Sequence, residues 1–283
     1  MERTLFYHAS CPDGFGAAWA AWRAWGAAAR YVARGHEDRV EPGSVEGQLV
    51  VFADIAPHRD ELRELAEVAA QLVVLDHHVS ARDRLSSDPA LANLVAAGGH
   101  ERHFDLDHSG ATLAWRWFHP REPVPELLRY VEDQDLWRFG LPGSEQVNAA
   151  IGSRPMRFEA WEELARRGAE ELAREGESIV RIDRLEVERA LRAAHPVALP
   201  GGRIEAVNAQ RSRSAIGHEL AKRASYGPSW GLVYRLAGRR VDLSIYSLGD
   251  LDVAKVAEGY GGGGHRNAAG FQLSLDAWLT LLV

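Results

Sequence analysis

Short apolar runs alternate with amphipathic stretches in the first third of the chain. Continuous apolar runs at residues 4–8, 49–53 and 72–75 predict strands that are buried on both faces. Residues 15–25 indicate a helix rich in Ala and Trp, and residues 60–70 have helical periodicity with several glutamates. Buried strands that alternate with helices predict a parallel sheet between two helical layers.

The middle of the chain is predicted to be helical. Ser109 is a candidate N-cap for a helix that extends to about residue 118, and a second helix is predicted at residues 126–135. Residues 158–194 are strongly charged and almost free of helix breakers, with Gly168 or Gly176 as candidate interruptions.

A strand-rich pattern returns after Arg203, where residues 204–207, 230–236 and 241–246 predict strands with helices between them. We therefore predict an α/β fold in three parts. These are an N-terminal three-layer domain with a parallel sheet at residues 1–157, a helical connector at residues 158–195, and a smaller C-terminal α/β domain at residues 196–283.

Length and charge narrow the class of protein. The chain has 283 residues and a formal net charge of −7, which argues against a protein that coats long nucleic acid. Cys11 is the single cysteine, so no internal disulfide can form. The N-terminus does not have the layout of a signal peptide, and no apolar run approaches the length of a membrane span. These features predict a cytoplasmic protein without a membrane partner.

Acidic and imidazole side chains follow the predicted strands. In a parallel sheet, functional groups gather beyond the carboxyl ends of the strands. His8 and Asp13 follow the first strand, Asp54 follows the second, and the triplet Asp76-His77-His78 follows the third. Carboxylate oxygens mixed with imidazole suit Mn²⁺ better than a thiolate zinc site or an all-oxygen calcium site.

The order of these motifs resembles that of the DHH phosphoesterases, a family named for its Asp-His-His triplet. The matching segments are residues 8–14 (HASCPDG), Asp54, residues 76–78, residues 132–135 (EDQD) and residues 261–271 (GGGGHRNAAGF). The last of these looks like the signature of the substrate domain associated with that family. The resemblance therefore extends over essentially the whole chain.

The resemblance implies a site for two Mn²⁺ ions, with Mg²⁺ or Co²⁺ as substitutes. Paired metals lie roughly 4 Å apart in such sites, where they activate water and neutralise phosphate charge. Asp76 would orient a ligand histidine, and His78 would face the scissile phosphate and stabilise or protonate the leaving oxygen. The implied metal ligands are His8 for the first ion, Asp54 as the bridge, and Asp13, His77 and Asp133 for the second ion.

Three positions depart from the family pattern or leave a choice open. Cys11 stands where the family's first motif usually has another aspartate, so it is a thiolate ligand, a cause of weaker metal binding, or a bystander. Tyr246 stands where the family often has an arginine, so either a phosphate contact is missing there or the Tyr246 hydroxyl or a nearby arginine replaces it. Between the two candidates at the end of the EDQD segment, we prefer Asp133 to Asp135 as the ligand.

The glycine run near the C-terminus predicts a substrate-binding loop. Glycines let a backbone approach a ligand closely and present N–H groups to anionic oxygen. The side chains that follow the glycines add further hydrogen-bond donors. The candidate substrate-binding residues are Gly262, Gly263, Gly264, His265, Arg266 and Asn267.

These observations favour a metal-dependent phosphodiesterase or phosphatase that acts on short nucleotides. Candidate substrates are oligoribonucleotides, linear dinucleotides and 3′-phosphoadenosine nucleotides. One alternative is a polyphosphate or pyrophosphate hydrolase, and another is a nucleotide-binding module that has lost catalysis. His36 is interpreted as a surface or structural histidine, and a homodimer is left open.

Overall fold

The structure is a computed structural model that describes residues 1–36 and 38–283. The chain forms two compact units, Met1–Val180 and Arg181–Val283. The division into a catalytic domain, a connector and a substrate domain, with boundaries at residues 157 and 195, concerns the roles of these segments and remains a prediction.

The first unit is built on a five-stranded, all-parallel sheet with the strand order β2-β1-β3-β4-β5. Its strands are β1 (Arg3–His8), β2 (Arg30–Arg34), β3 (Leu49–Ala53), β4 (Gln71–Asp76) and β5 (Glu101–Phe104).

Nine α-helices begin in the described part of this unit, together with short 3-10 helices at Gly26–Ala28 and Pro42–Val45. The α-helices are α1 (Pro12–Trp25), α2 (Arg59–Val68), α3 (Val79–Ser86), α4 (Pro89–Ala97), α5 (Gly110–Phe118), α6 (Glu126–Asp135), α7 (Ser144–Gly152), α8 (Phe158–Arg167) and α9 (Ala169–Leu191).

Both faces of the parallel sheet are covered, because alternate residues of each strand point to opposite sides. Val51 of β3 belongs to a core shared with α1, α5, α6, α7 and α8. Its neighbour Phe52 belongs to the opposite core, which α2, α3 and α4 complete. This arrangement confirms the α/β class and the three layers.

The second unit contains a mixed six-stranded sheet with the order β10-β11-β9-β8-β7-β6. Its pairs are antiparallel except for β7 and β8, which run parallel. The strands are β6 (His195–Leu199), β7 (Gly202–Asn208), β8 (Trp230–Ala237), β9 (Arg240–Ser247), β10 (Gly263–His265) and β11 (Ala268–Ser274).

Three helices complete the second unit: α10 (Arg213–Arg223), α11 (Val253–Glu258) and α12 (Leu275–Leu279). One core lies against α11 and α12, and a smaller one contains Ile216 and Leu220 of α10. Each unit therefore buries its own apolar side chains around its own sheet.

The long helical segment predicted after residue 158 is interrupted at Gly168, whose φ of +78° falls in the left-handed region. Gly176 lies inside α9, where a Cβ would stand 1.9 Å from the Gln146 backbone oxygen. Trp161 and Leu164 of α8 and Leu172 of α9 belong to the core of the first unit. In the described residues, helices that are both long and apolar enough to span a membrane are absent.

Candidate metal centre

Three neighbouring strands of the first unit deliver polar residues to the same edge of the sheet. Tyr7 of β1 is in register with Ala53 of β3, and Ala53 is in register with Leu75 of β4. The residues that come next, His8, Asp54 and Asp76, therefore lie side by side. All three were expected at this edge because each follows an apolar strand.

Asp54 has its two carboxylate oxygens directed at two different imidazoles. Its Oδ2 is 3.4 Å from His8 Nδ1, and its Oδ1 is 3.0 Å from His77 Nε2. The hydrogen bond from His77 and the proximity of the His8 imidazole outweigh the effect of burial and hold the pKa of Asp54 well below its usual range. This is the geometry expected of a carboxylate that bridges two cations.

Asp13 and Asp135 add two more carboxylates on the His77 side. His77 Nε2 is 3.7 Å from Asp13 Oδ2 and 3.6 Å from Asp135 Oδ2. Burial, followed by the charges of Asp54 and Asp135, raises the pKa of Asp13 well above its usual range. Burial also raises the pKa of Asp135. The local arrangement therefore favours additional positive charge.

The imidazole of His77 responds to these carboxylates. Burial alone would lower the pKa of His77, but the hydrogen bond to Asp54 and the negative charge around it raise that pKa to about 10. A divalent cation among the same carboxylates would supply the positive charge that the protonated ring otherwise provides.

The position of Asp13 is fixed by the first turn of α5. The backbone N–H groups of Gly110 and Ala111 donate to the two Asp13 oxygens at 2.7 and 3.0 Å. A Cβ at residue 110 would lie 2.4 Å from the Asp54 Cβ, so only glycine permits this approach. Gly14 is under the same constraint, because a Cβ there would lie 2.3 Å from the His8 backbone oxygen.

Asp133, the ligand preferred on sequence, does not lie in this cluster. Its carboxylate accepts hydrogen bonds from the N–H groups of Gly140 and Leu141 at 2.9 and 3.2 Å. Ser144 and these two backbone N–H groups overcome the effect of burial and lower the pKa of Asp133. Residues two apart on a helix point in different directions, and the structure places Asp135 beside His77. We therefore revise the candidate ligand from Asp133 to Asp135.

Cys11 lies beside the other half of the site. Potential ligand atoms of His8, Cys11 and Asp54 lie within 4.8 Å of one another. Burial, and then the charge of Asp54, raises the pKa of the Cys11 thiol well above its usual range. The neutral thiol would have to lose its proton to bind a cation as a thiolate.

Asp76 holds the ring of His78. Its Oδ1 lies 2.7 Å from His78 Nδ1 and accepts the backbone N–H of His77 at 2.8 Å. Although burial opposes protonation of His78, the charge of Asp76 outweighs it and raises the pKa of His78. The ring expected to face the phosphate thus donates its Nδ1–H to Asp76.

His36 is a neighbour of the site that the sequence interpretation missed. Its ring centroid is 4.9 Å from that of His8 and 6.2 Å from that of His78. Loss of hydration, together with the charges of His8 and His78, lowers the pKa of His36 to about 4. The ring is therefore neutral near pH 7. The feature that could have placed His36 near the site is the short strand β2, which ends two residues before His36.

The residues fit a pair of divalent cations. Asp54 Oδ2 and Asp135 Oδ2 are buried and have no hydrogen-bond partner within residues 1–36 and 38–283. A metal ion would satisfy such oxygens without a hydrogen bond. Two potential ligand groups, His8–Cys11–Asp54 and Asp13–His77–Asp135, are each compact enough to hold one ion. Their nitrogen and oxygen atoms suit Mn²⁺ and similar ions.

The candidate substrate loop lies in the second unit. Gly263 and Gly264 open β10, and His265 ends it opposite Ala268 of β11. A Cβ at Gly262 would stand 2.1 Å from the Gly270 backbone oxygen, so this glycine allows close packing of the protein itself.

The two residues after β10 hold a neighbouring turn. Arg266 donates to the Asp250 backbone oxygen at 2.7 Å, and the Asn267 amide donates to Ser247 Oγ at 3.0 Å. Substrate binding by this segment remains a prediction.

Comparisons with known proteins support the fold. No family model matches this chain. A curated relative, the uncharacterized protein R106 of Acanthamoeba polyphaga mimivirus, is 25% identical over 293 aligned residues, covering 95% of this chain and 67% of the relative.

Two solved structures are similar over nearly the whole chain. An exopolyphosphatase-related protein from Bacteroides fragilis has a TM-score of 0.50 at 9% identity and covers 98% of this chain and 89% of its own. The pGpG-specific phosphodiesterase PggH from Vibrio cholerae has a TM-score of 0.47 at 12% identity, over 98% of this chain and 94% of its own. At such identities, the similarity concerns the fold.

Proposed function

We propose that this protein is a metal-dependent phosphoester hydrolase of the DHH type. The observation that carries the proposal is the position of Asp54, whose Oδ1 is 3.0 Å from His77 and whose Oδ2 is 3.4 Å from His8. A carboxylate shared in this way between two groups of ligands matches a dinuclear hydrolytic site. The name of the Bacteroides fragilis neighbour, an exopolyphosphatase-related protein, is compatible with phosphate chemistry.

Each half of the site has a proposed set of ligands. His8 and Asp54 would hold one ion, with Cys11 beside them, and Asp54 would also contribute to the second set. Asp13, His77 and Asp135 complete the second set. When bound, two divalent ions would activate a water molecule and neutralise charge on the phosphate.

His78 is the proposed acid of the reaction. Asp76 accepts from its Nδ1 at 2.7 Å, which fixes the ring and raises its pKa. The Nε2–H is then the group that donates to a phosphate oxygen or protonates the leaving oxygen. Because Asp76 is only 1% exposed, water cannot readily replace it as the partner of His78.

We propose short nucleotides as the substrate class. The ordered series of motifs and the net charge of −7 both favour a small phosphorylated substrate over long nucleic acid. Polyphosphate and pyrophosphate would use the same metal chemistry without recognition of a base, so they belong in the same assay.

The test compares wild type, Asp54→Asn and Asp83→Asn. Asparagine tolerates the left-handed backbone of residue 54, so the fold should persist while the bridge is lost. Asp83 is an exposed aspartate paired with Arg82, which makes Asp83→Asn the matched control. Metal content is measured alongside Mn²⁺-dependent turnover of dinucleotides, longer oligomers, bisphosphorylated adenosine and polyphosphate.

We expect about two bound ions in wild type and in the control, with metal loss and a fall in turnover of about 10³-fold or more in Asp54→Asn, the scale of losing transition-state charge stabilisation. Turnover that survives chelation, or Asp54→Asn with full activity, would rule out the dinuclear mechanism. Nucleotide binding without any hydrolysis would instead identify a binding module, and turnover of polyphosphate alone would correct the substrate class.

A further inference from the structure

The turn that follows α6 carries an exposed tryptophan in an unfavourable backbone conformation. Trp137 has a φ of +56° and Phe139 a φ of +48°, both in the left-handed region that bulky side chains rarely adopt. Trp137 is also 41% exposed, although a large apolar side chain stabilises a fold by burial. Strained residues of this kind concentrate where a protein holds a ligand. Residues 136–140 are called here the aromatic turn.

Asp133 enforces the shape of the aromatic turn. Its backbone oxygen accepts the N–H groups of Arg138 and Phe139 at 2.8 and 3.2 Å. Its carboxylate accepts the N–H groups of Gly140 and Leu141 at 2.9 and 3.2 Å. Four successive backbone donors therefore converge on one buried residue, and these hydrogen bonds hold the turn in its strained shape.

A second set of contacts connects the aromatic turn to the support of the metal centre. Arg138 donates to the Asp107 backbone oxygen at 2.6 Å and lies 3.5 Å from Glu132. Glu132 accepts the backbone N–H of Ser109, the N-cap of α5, at 3.0 Å. The first turn of α5 in its turn donates to Asp13. The aromatic turn and the metal ligands thus share one hydrogen-bonded support.

The short distance along the chain places Trp137 near the proposed second ion. Trp137 is two residues after Asp135, so their Cα atoms are at most about 7 Å apart. Asp135 Oδ2 lies 3.6 Å from His77 Nε2. In a nucleotide, a single sugar separates the phosphate from the base. A nucleotide whose phosphate lies at the metal centre would therefore have its base within reach of the indole.

The chemistry of the indole favours a heterocyclic base. Its ring makes a T-shaped contact with Phe139 at a centroid distance of 4.9 Å. Stacking on an aromatic ring needs no charge on the ligand, so a neutral base suits an edge of the sheet that is rich in carboxylates. Every base has a π-face, whereas polyphosphate and pyrophosphate have no group that can stack.

We propose that Trp137 is a stacking platform for a nucleobase of the substrate. The proposal rests on the proposed function for the presence of a phosphate at the metal centre. It makes the aromatic turn the element that distinguishes nucleotides from other phosphorylated compounds. It also explains why Asp133 is buried beside the site without being a candidate ligand.

The first test is isothermal titration of the Mn²⁺-loaded full-length protein with 5′-AMP and with ribose 5-phosphate. The two ligands share a phosphate and a sugar, and AMP alone has a base. Trp137→Asn removes the ring and suits the left-handed backbone, whereas Trp137→Phe keeps a ring. Wild type should bind AMP more tightly than ribose 5-phosphate. Trp137→Asn should raise the Kd for AMP about tenfold or more, the scale of one lost base stack, with little change for ribose 5-phosphate. Trp137→Phe should retain most of the AMP affinity.

Met156→Ala is the matched control, because Met156 is an apolar side chain of the first unit with a similar exposure of 39%. It precedes α8, whose Phe158 stacks on Trp22, near the opposite end of α1 from Asp13. A Met156→Ala variant that loses as much AMP affinity as Trp137→Asn would overturn the platform. Equal affinity of wild type for the two ligands, or an equal loss of both in Trp137→Asn, would overturn it as well.

Thermal unfolding of the ligand-free variants distinguishes a binding role from a packing role. Because Trp137 is strained and exposed, Trp137→Asn should keep the Tm of wild type or raise it, while AMP affinity is lost. A lower Tm together with wild-type AMP affinity would assign the ring to packing and overturn the proposal.

Turnover separates failure of this proposal from failure of the proposed function. The preference for a dinucleotide over its abasic analogue, measured as a ratio of kcat/KM values, should fall about tenfold in Trp137→Asn and stay the same in Met156→Ala. An unchanged ratio in Trp137→Asn would contradict base stacking. Wild type without Mn²⁺-dependent hydrolysis of any phosphoester would refute the proposed function, and the comparison of AMP with ribose 5-phosphate would still decide the platform.

Discussion

At the scale of single residues, Asp54 combines strain with an unusual electrostatic position. Its φ of +59° is in the left-handed region, where a residue other than glycine costs of order 1–3 kcal/mol and persists only when its surroundings determine it. The backbone N–H of Asp54 donates to the Leu75 oxygen at 2.9 Å, which anchors the turn to β4. This strained backbone conformation therefore places the carboxylate between His8 and His77.

The different surroundings of Asp133 and Asp135 lead to opposite predictions for the thermal stability of their variants. The pKa of Asp135 is raised in the folded protein, so its ionised form destabilises the metal-free fold once the pH exceeds the unfolded pKa of about 3.9. Asp135→Asn should then raise the Tm of chelator-treated protein at pH 7.5, by about 2–4 °C for each kcal/mol relieved. The gain should shrink near pH 4. Mn²⁺ should raise the Tm of this variant less than that of wild type.

Asp133→Asn is the matched variant with the opposite expected result. Its carboxylate accepts two backbone N–H groups, and an amide in its place would leave a buried donor unsatisfied, at about 1–3 kcal/mol. The Tm should fall with and without Mn²⁺, and the number of bound ions should stay the same. Metal loss in Asp133→Asn but not in Asp135→Asn would reverse our assignment. Differential scanning calorimetry and metal analysis measure both quantities.

The same pair shows what a linear motif could and could not predict. A run of acidic residues at the end of a helix indicates that one of them can reach the sheet edge, but the choice depends on the rotation of α6. That rotation is set by packing of its apolar residues, including Leu127, Leu128 and Val131, in the core of the first unit. Sequence spacing alone does not contain this information.

At the scale of elements, the start of α5 is positioned by the absence of a side chain at Gly110. The N-terminus of this helix presents its N–H groups to Asp13, and its first residue touches Asp54. Because this contact is buried and close, there is no space for a methyl group at residue 110. The geometry of the cluster therefore depends on how closely α5 can approach the end of β3.

Gly110→Ala tests this dependence. The new Cβ would meet the Asp54 Cβ at 2.4 Å and the Asp54 Cα at 2.8 Å, so either the helix or the turn after β3 must move. We expect loss of metal affinity and a fall in kcat/KM of about 10²-fold, the scale of a 1 Å displacement at a catalytic group. Isothermal titration with Mn²⁺ and steady-state kinetics give the two measurements.

Gly152→Ala is the control for that experiment. Gly152 ends α7, and a Cβ there would meet nothing within 4 Å. Alanine should leave metal binding unchanged and stabilise the helix slightly, by about 0.5–1 kcal/mol. Normal Mn²⁺ affinity in Gly110→Ala would show that the close approach is dispensable.

The central strands were predictable because each contains a continuous apolar run, whereas the edge strands were not. β3 has the bounds expected from sequence, and its last four residues are buried. β2 (RYVAR) and β5 (ERHF) lie at the two edges of the sheet, where partial exposure permits charged residues. Since β2 was not recognised, the turn that carries His36 had no predicted place near the site.

The turn that carries His36 is held by a buried ion pair. Arg34, at the end of β2, donates to both carboxylate oxygens of Glu61 in α2, at 3.0 and 3.2 Å. Glu61 also accepts the backbone N–H of Val40 at 2.9 Å. Contacts between residues this far apart in sequence are set by the packing of α2 against the sheet, which the local pattern does not reveal.

At the scale of the whole molecule, each unit has its own sheet and its own core. The proposed metal ligands all belong to Met1–Val180. A ligand stabilises the structure that binds it, in proportion to RT ln(1 + [L]/Kd). Bound metal should therefore stabilise the first unit more than the second.

Hydrogen exchange followed by mass spectrometry can measure the stability of each unit separately. Mn²⁺ should slow exchange in β3, β4 and the first turn of α5, because the residues that bind it follow those strands or lie against that helix. Exchange in β8 and β9 of the second unit should be the same with and without Mn²⁺. At a concentration 100 times the Kd, Mn²⁺ should add about 2.7 kcal/mol of protection to amides that exchange through unfolding of the first unit. Asp54→Asn should abolish this protection. Equal protection of both units by Mn²⁺ would contradict a metal site confined to the first unit, because it would require a site coupled to the entire fold.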